Sequence, residues 1–446
     1  MKNLPLKFLI FLAIYFIPVV SKAQVWDSLG TGLRNNSRYS TIYNNKLLVG
    51  IRDTVNNMYL SNIGIWDGAN WDTLGAGVSG PILSSVEYNG NLFIGGGFIY
   101  AGGASFPDPR ADNLTYWDGN QYHLTDYHNF GALVNSLATY NNELYLGASQ
   151  PFDIDSVTYS AIARYNGTSW SDVGGGVFSN FREILCMTKF NGDLIVAGRF
   201  DFAGTTPANN IARWDGNQWH TIGDGLNYYV RSVYVDSSTN TLYAGGSFTG
   251  SGTTPLNFIA QWDGTAWLPL GNGLSDAVRT ITKYKSQLYA GTTPFSNPSA
   301  LMSFDGTNWA PVIPSPNKLV YCINVFQDEL YVSGIFDSIG GVPYAGIARY
   351  RDTITSVQPN IISEKLFEIF PNPATDKLDI TLLKNMNGTF QVIVTDAAGK
   401  NILKREYEGS VSTISIKLPE ELSNGVYTCQ VVMGKTKHSQ NFIIQR

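Results

Sequence analysis

The sequence predicts an all-β protein: a seven-bladed β-propeller followed by a small Ig-like β-sandwich. Three observations predict it. A phrase of the form IARWDGNQW (211–219) returns along the chain, the composition suits short strands and tight turns, and the rhythm changes near residue 366. Of 446 residues 45 are Gly, 13% are aromatic and 15% are charged, which argues against disorder.

The first 23 residues are expected to lie outside the fold. Lys2 and Lys7 form a basic start, Phe8 to Val20 is an apolar run of 13 residues, and Ser21-Lys22-Ala23 places small residues at alternate positions. This is the pattern of a secretory signal peptide cut between Ala23 and Gln24. The run is shorter than the roughly 20 residues of a membrane-spanning helix. No later segment is long and apolar enough for such a helix, so an exported chain is expected.

The repeat occupies residues 24–351. The phrase recurs as IGIWDGANW (63–71), LTYWDGNQY (114–122), IARYNGTSW (162–170), IARWDGNQW (211–219), IAQWDGTAW (259–267) and LMSFDGTNW (301–309), and begins again as IARYRD (347–352). The first aromatics are 42 to 51 residues apart, a period that belongs to propellers and related arrays. Upstream of each phrase two short apolar runs flank a turn, as in MTKFNGDLIVAGRF (187–200), and read as a hairpin of strands A and B. The phrase supplies strand C, a turn and strand D. Its Asp caps the turn and its Gly takes the positive φ that other residues avoid. Four strands repeated seven times make seven blades. The mature chain opens with VWDSLGTG (25–32), a strand D without a strand C, and the seventh phrase stops at strand C. The N-terminal strand is therefore expected to complete the last blade and remove two open edges.

Residues 352–365 read as a linker. From 366 to 446 come LFEIFPNPATDKLDITL, FQVIVTDAAGKNILKREYEG, ISIKLPEELSNGVYTCQVVMG and KHSQNFIIQR, strands and turns of a β-sandwich. This tail closely resembles the type A C-terminal sorting domain of the type IX secretion system of Bacteroidetes. The resemblance is carried by Pro371, Asn372, Pro373 and Ala374, the VTDAAGK turn (394–400), the SNGVY strand (423–427) and the terminal Arg446. It implies export through the inner membrane, then recognition of the tail by the outer-membrane machinery, with the tail usually removed and the cargo anchored or released. The repeat half is similar to the WDG-repeat proteins common as cargo of that system and, more distantly, to kelch and galactose-oxidase-type propellers. That likeness transfers a fold and no function.

Charge narrows the partners. Removing the +3 of residues 1–23 and the +1 of residues 366–446 from the total of −5 leaves −9 on residues 24–365. So acidic a body makes nucleic acid an unsuitable partner. The chain lacks H-E-x-x-H, G-x-S-x-G, Walker and C-x-x-C motifs, so no catalytic residue and no cofactor is assigned. His123, His128, His220 and His438 are the only histidines, too few in the right company for a copper site of the galactose-oxidase kind. Asp108, Asp112, Asp153 and Asp155 could gather a calcium ion or serve as solvated loop residues, and no metal is assigned. Cys186 and Cys322 fall in a small-residue slot shared with Ser84, Ser136, Ser232 and Thr280, in blades four and seven; with Cys429 in the tail, three free thiols are expected.

What remains is a binding face. The D–A loops carry TDYHNFG (125–131), FSNFRE (178–183) and NYYVR (227–231), which put Phe181, Tyr228, Tyr229 and His128 beside Asn and Arg. Such groups suit sugar stacking or a protein interface, or ordinary packing between loops. One residue before the small-residue slot the aligned positions hold Arg38, Leu83, Asn135, Leu185, Arg231, Arg279 and Tyr321. Arg38, Arg231 and Arg279 invert the local sign of charge at a channel mouth. Either they pair with acidic loop residues such as Asp276 or face channel water, or they receive an acidic ligand such as a uronic or sialic acid, with Tyr228, Tyr229 or Phe181 on its ring. The expectation is a secreted or surface-displayed binding propeller for a glycan or protein. The alternatives are a carbohydrate-active lyase or hydrolase on the same face and a structural surface-layer protein.

Overall fold

A computed structural model describes residues 23–30, 36–51, 54–55, 58–59, 62–103, 110–125, 131–295, 299–353, 367–383, 388–396, 400–408, 412–433 and 436–445. The signal-peptide expectation, apart from Ala23, and His128 lie outside them, as does Asp108. The described residues are all-β with no helix, hence none long and apolar enough to cross a membrane. The chain divides into two compact units, 22–353 and a second containing 354–446.

In the first unit seven four-stranded antiparallel sheets repeat one plan. In the fourth, strand A is Glu183–Phe190, B is Asp193–Arg199, C is Ile211–Trp214 and D is Trp219–Thr221, hydrogen-bonded in that order. The seventh is assembled from both ends of the unit: Val320–Phe326, Glu329–Gly334 and Ile347–Thr353 are its strands A to C, and Ala23–Asp27 is its strand D. Trp26 faces Tyr350 across this last pair. Strand A of each sheet lies against strand A of the next, and that of the seventh lies against Tyr39–Tyr43 of the first.

The repeated phrase explains how sheets are joined. Its two aromatics, on strands C and D, meet in all seven sheets with ring centroids 4.9–5.4 Å apart. In five sheets the strand D Trp then donates a hydrogen bond to a carbonyl of the preceding sheet, and in the second the Tyr122 hydroxyl donates to Leu74 O at 2.7 Å. Trp219 Nε1 reaches Val173 O at 2.9 Å, Trp267 reaches Ile222 O at 3.1 Å and Trp309 reaches Leu270 O at 3.0 Å. The same bond runs from Trp26 to Pro314 O at 2.9 Å and from Trp71 to Leu29 O at 2.8 Å, so the junctions on both sides of the seventh sheet follow the rule. A buried indole needs such an acceptor, which is why the phrase keeps both its Trp and the strand-end carbonyl that receives it.

The turn chemistry follows the expectation. In six sheets the Asp or Asn of the turn accepts two backbone N–H bonds through one oxygen, as Asp215 Oδ1 does from Asn217 N and Gln218 N at 2.8 and 2.9 Å. The following glycine has φ near 100°, for example 101° at Gly216. Two features differ from the sequence reading. The B–C connections of five sheets fold into small ribbons, four two-stranded and one joined by Val177–Phe178 into three strands, among them Phe152–Ile154 with Val157–Tyr159, so Asp153 sits on a strand rather than in an open loop. Six of the A strands also carry a bulge near their start.

The second unit has a three-stranded sheet (Phe367–Phe370, Lys377–Leu382, Thr413–Lys417) and a four-stranded one (Asn401–Glu408, Thr389–Thr395, Gly425–Met433, Thr436–Ile444). Alternate residues, including Leu378, Ile380, Val392, Val394, Ile416 and Phe442, form one buried core. The PNPA segment is tied to the last strand. Asn372 Oδ1 accepts from Ile443 N at 2.8 Å, Ala374 N donates to Ile443 O at 2.8 Å, and Gln445 N donates to Ala374 O at 2.9 Å. Ala374 is fully buried, whereas Pro371, Asn372 and Pro373 are exposed.

Candidate functional site

The bulges fall at one aligned position. The register shifts between Ile82 and Ser84, Val134 and Ser136, Ile184 and Cys186, Val230 and Ser232, Val278 and Thr280, and Val320 and Cys322. The extra residues are Leu83, Asn135, Leu185, Arg231, Arg279 and Tyr321, and Arg38 directly precedes strand A of the first sheet. A bulge bends its strand and re-aims one side chain without disturbing the rest of the ladder. In four of the six sheets the opposite strand accommodates it with glycine, with Ala148 and Thr292 in the other two: a Cβ on Gly246 would stand 2.0 Å from Tyr229 O, and one on Gly198 would stand 2.1 Å from Glu183 O. The small residue after the bulge ties neighbouring sheets together. Ser84 Oγ accepts from Leu137 N at 2.8 Å, and Cys322 Sγ donates to Arg38 O at 3.6 Å.

These positions bring Arg38, Arg231 and Arg279 into one electrostatic neighbourhood. Burial, then the like charges of Arg231 and Arg38, push the Arg279 guanidinium below its ordinary value, and Tyr321 opposes them. The Tyr321 ring lies between two of them, 5.8 Å from Arg38 and 5.5 Å from Arg279. Arg231 lies 5.3 Å from the Tyr229 ring. Tyr228 and Tyr229 stack at 4.2 Å. Arg279 Nε donates to Thr293 Oγ1 at 3.2 Å, whereas the buried Arg231 Nε has no acceptor. None of Arg38, Arg231 and Arg279 makes an ion pair with a described residue. Asp276, the partner considered for them, accepts instead from Phe295 N at 3.1 Å and from the Ser275 hydroxyl at 3.3 Å.

Two site residues escaped the sequence reading. Arg199, at the end of strand B, is held between Phe181 at 3.4 Å and Tyr229 at 4.4 Å. Glu183, at the start of strand A, faces Arg199 in the ladder and accepts from Asn135 Nδ2 at 3.4 Å. Burial raises the Glu183 carboxyl, and the charges of Arg231 and Arg199 only partly offset that. A signal for Arg199 was available: the strand B ends read GGGF (95–98), AGRF (197–200), GGSF (245–248) and SGIF (333–336), and only one carries a charge.

The remaining candidates are accounted for locally. Asp112 pairs with Arg110 at 2.8 Å and Asp153 Oδ1 accepts from Thr158 at 2.6 Å. No group of metal-ligating side chains forms among the described residues. Burial pushes the free thiols up, Cys186 to about 12, Cys322 to about 11 and Cys429 to about 12. His123 and His220 hold the turn carboxylates of Asp118 and Asp215 at 2.6 and 2.7 Å.

Residues 368–445 match the family described as the secretion system C-terminal sorting domain. The protein is secreted or held at the outer cell surface. Its tail makes it a client of the type IX secretion machinery. No curated protein matches the chain. Among solved structures the chain is similar to PorZ, described as an essential bacterial surface component of the type IX secretion system of Porphyromonas gingivalis. The identity is 15% and the TM-score 0.44, over 92% of this chain and 60% of that one. The chain thus spans under two thirds of PorZ. A computationally designed protein, Ika4, is similar at 10% identity and a TM-score of 0.26, over 41% of this chain and 96% of its own.

Proposed function

We propose that residues 24–351 form a seven-bladed β-propeller that binds an extracellular ligand on the face bearing the strand A bulges, with 352–365 a linker and 366–446 a removable sorting domain. The cyclic succession of A strands and the Trp26 and Trp71 bonds on either side of the seventh sheet support the propeller. One observation carries the function: three arginines share a neighbourhood without an ion pair among the described residues, set against the rings of Tyr321 and Tyr229, with exposed Tyr228 stacked on Tyr229. Scaffold charges are ordinarily paired or left in water. Guanidiniums held by aromatic rings, one with a buried donor left over, are arranged for a ligand.

The tests are direct. The secreted product should have the intact mass of a chain that starts at Gln24 and lacks residues 366–446. A full-length tail on the extracellular protein would count against a removable sorting domain. On arrays of glycans and extracellular proteins, the secreted protein should retain at least one ligand that the Arg231→Ala/Arg279→Ala double variant loses. Retention of nothing, or of the same ligands by the variant, would remove the binding reading.

A further inference from the structure

We infer that the ligand is an anionic oligosaccharide with acidic groups on more than one residue, and that Glu183 is a built-in counter-ion competing with it for Arg199 and Arg231. The inference rests on the binding reading above and narrows it to one chemical class.

The cationic groups are spread rather than focused. Arg199 belongs to the fourth sheet, Arg231 to the fifth, Arg279 to the sixth and Arg38 to the first, with the Tyr321 ring of the seventh between the last two. A single carboxylate engages one or two guanidiniums, because the bidentate bond uses both its oxygens. Four guanidiniums on four sheets match a ligand that presents several acidic groups in succession. Among the described residues none of the four makes an ion pair and Glu183 acts on Arg231 and Arg199 alone, so most of that charge is left for the ligand. Burial of the unsatisfied Arg231 Nε is costly, and an anionic oxygen would remove the cost.

The aromatic groups select a sugar over a peptide. Phe181 is 57% exposed and Tyr228 49% exposed, and each touches the cationic arc through a neighbour: Phe181 through Arg199, Tyr228 through Tyr229. An exposed ring beside a fixed cation matches a pyranose that offers an apolar face and an acidic substituent together. The −9 of residues 24–365 repels a long polyanion such as nucleic acid and leaves short acidic chains as the favoured ligands.

Glu183 sets the threshold. Asn135 holds its carboxylate toward the guanidiniums, where it occupies part of the field an incoming acid would use. Ligand binding must displace or share that contact.

Calorimetry on the secreted protein at about 0.15 M salt tests this. The probes are a uronic acid oligosaccharide, a sulfated oligosaccharide, a neutral oligosaccharide of equal length and a glutamate peptide of equal charge. We expect one or both acidic sugars to bind saturably, which also separates carboxylate from sulfate as the acidic group. Arg231→Ala and Arg279→Ala should each weaken binding by about tenfold to a hundredfold at unchanged melting temperature. Glu183→Gln should tighten it. Equal binding of the neutral sugar, or binding of the glutamate peptide alone, overturns the acidic-sugar assignment and leaves the binding face standing. Acidic-sugar binding that the arginine variants do not weaken also overturns it. If the arrays and all four probes fail together, both readings fall.

Discussion

The C–D turn and the strand A bulge recur in the same sheets, and they recur differently. At the turn the residues repeat: Asp67, Asp118, Asn166, Asp215, Asp263 and Asp305 each accept two backbone N–H bonds. At the bulge the geometry repeats and the residues do not, passing through Leu83, Asn135, Leu185, Arg231, Arg279 and Tyr321. A position whose chemistry is spent on its own backbone must keep its residue. A position that the ladder leaves unpaired, and whose side chain no turn or cap requires, is free to vary. The turn is scaffold, and the bulge is where one plan is given different faces.

If that contrast is right, breaking a repeated element costs stability and leaves the face intact. The largest effect is expected at Trp26, which is 8% exposed, meets Tyr350 at 4.9 Å and bonds Pro314 O. Trp26→Ala should cost about 3–5 kcal/mol in chemical denaturation. The edge it serves is also held by Asp27, which pairs with Arg349 and Arg351, as Glu329 does. A stability within error of wild type would mean that the N-terminal strand does not complete the seventh sheet.

Gly246 joins the two sides of the comparison. An added methyl meets Tyr229 O, a backbone atom next to the stacking pair, so the bulge itself must move. Gly246→Ala should cost about 1–3 kcal/mol, as overpacked sites do, and should weaken ligand binding with it. Gly264 is the control. Its methyl would meet nothing within 4 Å, but its φ of 104° strains any other residue. Gly264→Ala should lower stability and spare binding. Binding loss in both variants would mean that the turn and the bulge are not separable.

The same contrast explains what could be read from the sequence. The turns, the paired aromatics, the completing N-terminal strand and the all-β tail were legible because each is written as a repeated or fixed word. The aligned arginines were visible too, as a column in seven similar hairpins. That the column is a bulge was not, since nothing in Leu83 or Arg231 marks an extra residue; the mark is on the opposite strand, in Gly198 and Gly246. Nothing in the sequence marks Glu183, which ends the FSNFRE stretch as an ordinary loop acid would. Its role depends on Asn135, 48 residues away on another sheet.

Titration should separate the two regions further. Backbone N–H bonds hold the turn carboxylates low: the exposed Asp67, Asp263 and Asp305 below the ordinary value, and half-buried Asp118 down to about 2 with help from His123. A carboxylate depressed by folding stabilises the fold above its unfolded value, near 3.8, and loses that contribution as the pH falls through the folded value. Stability should therefore decline between about pH 4 and pH 2, and in Asp118→Asn the decline should be shallower. An unchanged acid slope in that variant would mean the turn bonds do not discriminate charge.

The smallest effect is expected at Glu183, with the opposite sign. Burial raises its carboxyl above the ordinary value of 4.5 despite Arg231 and Arg199. An acid raised by folding holds its proton longer in the folded state, so stability falls as the pH rises from the unfolded value through the folded one. At neutral pH the ionised Glu183 is a net cost, as functional sites often carry. Glu183→Gln should melt slightly higher than wild type at pH 7, and the two should converge below about pH 4, where the wild-type side chain is neutral in both states. No turn carboxylate behaves this way, because each loses stability on protonation. A Glu183→Gln protein that melts lower than wild type at pH 7 would make the residue one more structural ion pair, and the bulge face would lose its distinction from the scaffold.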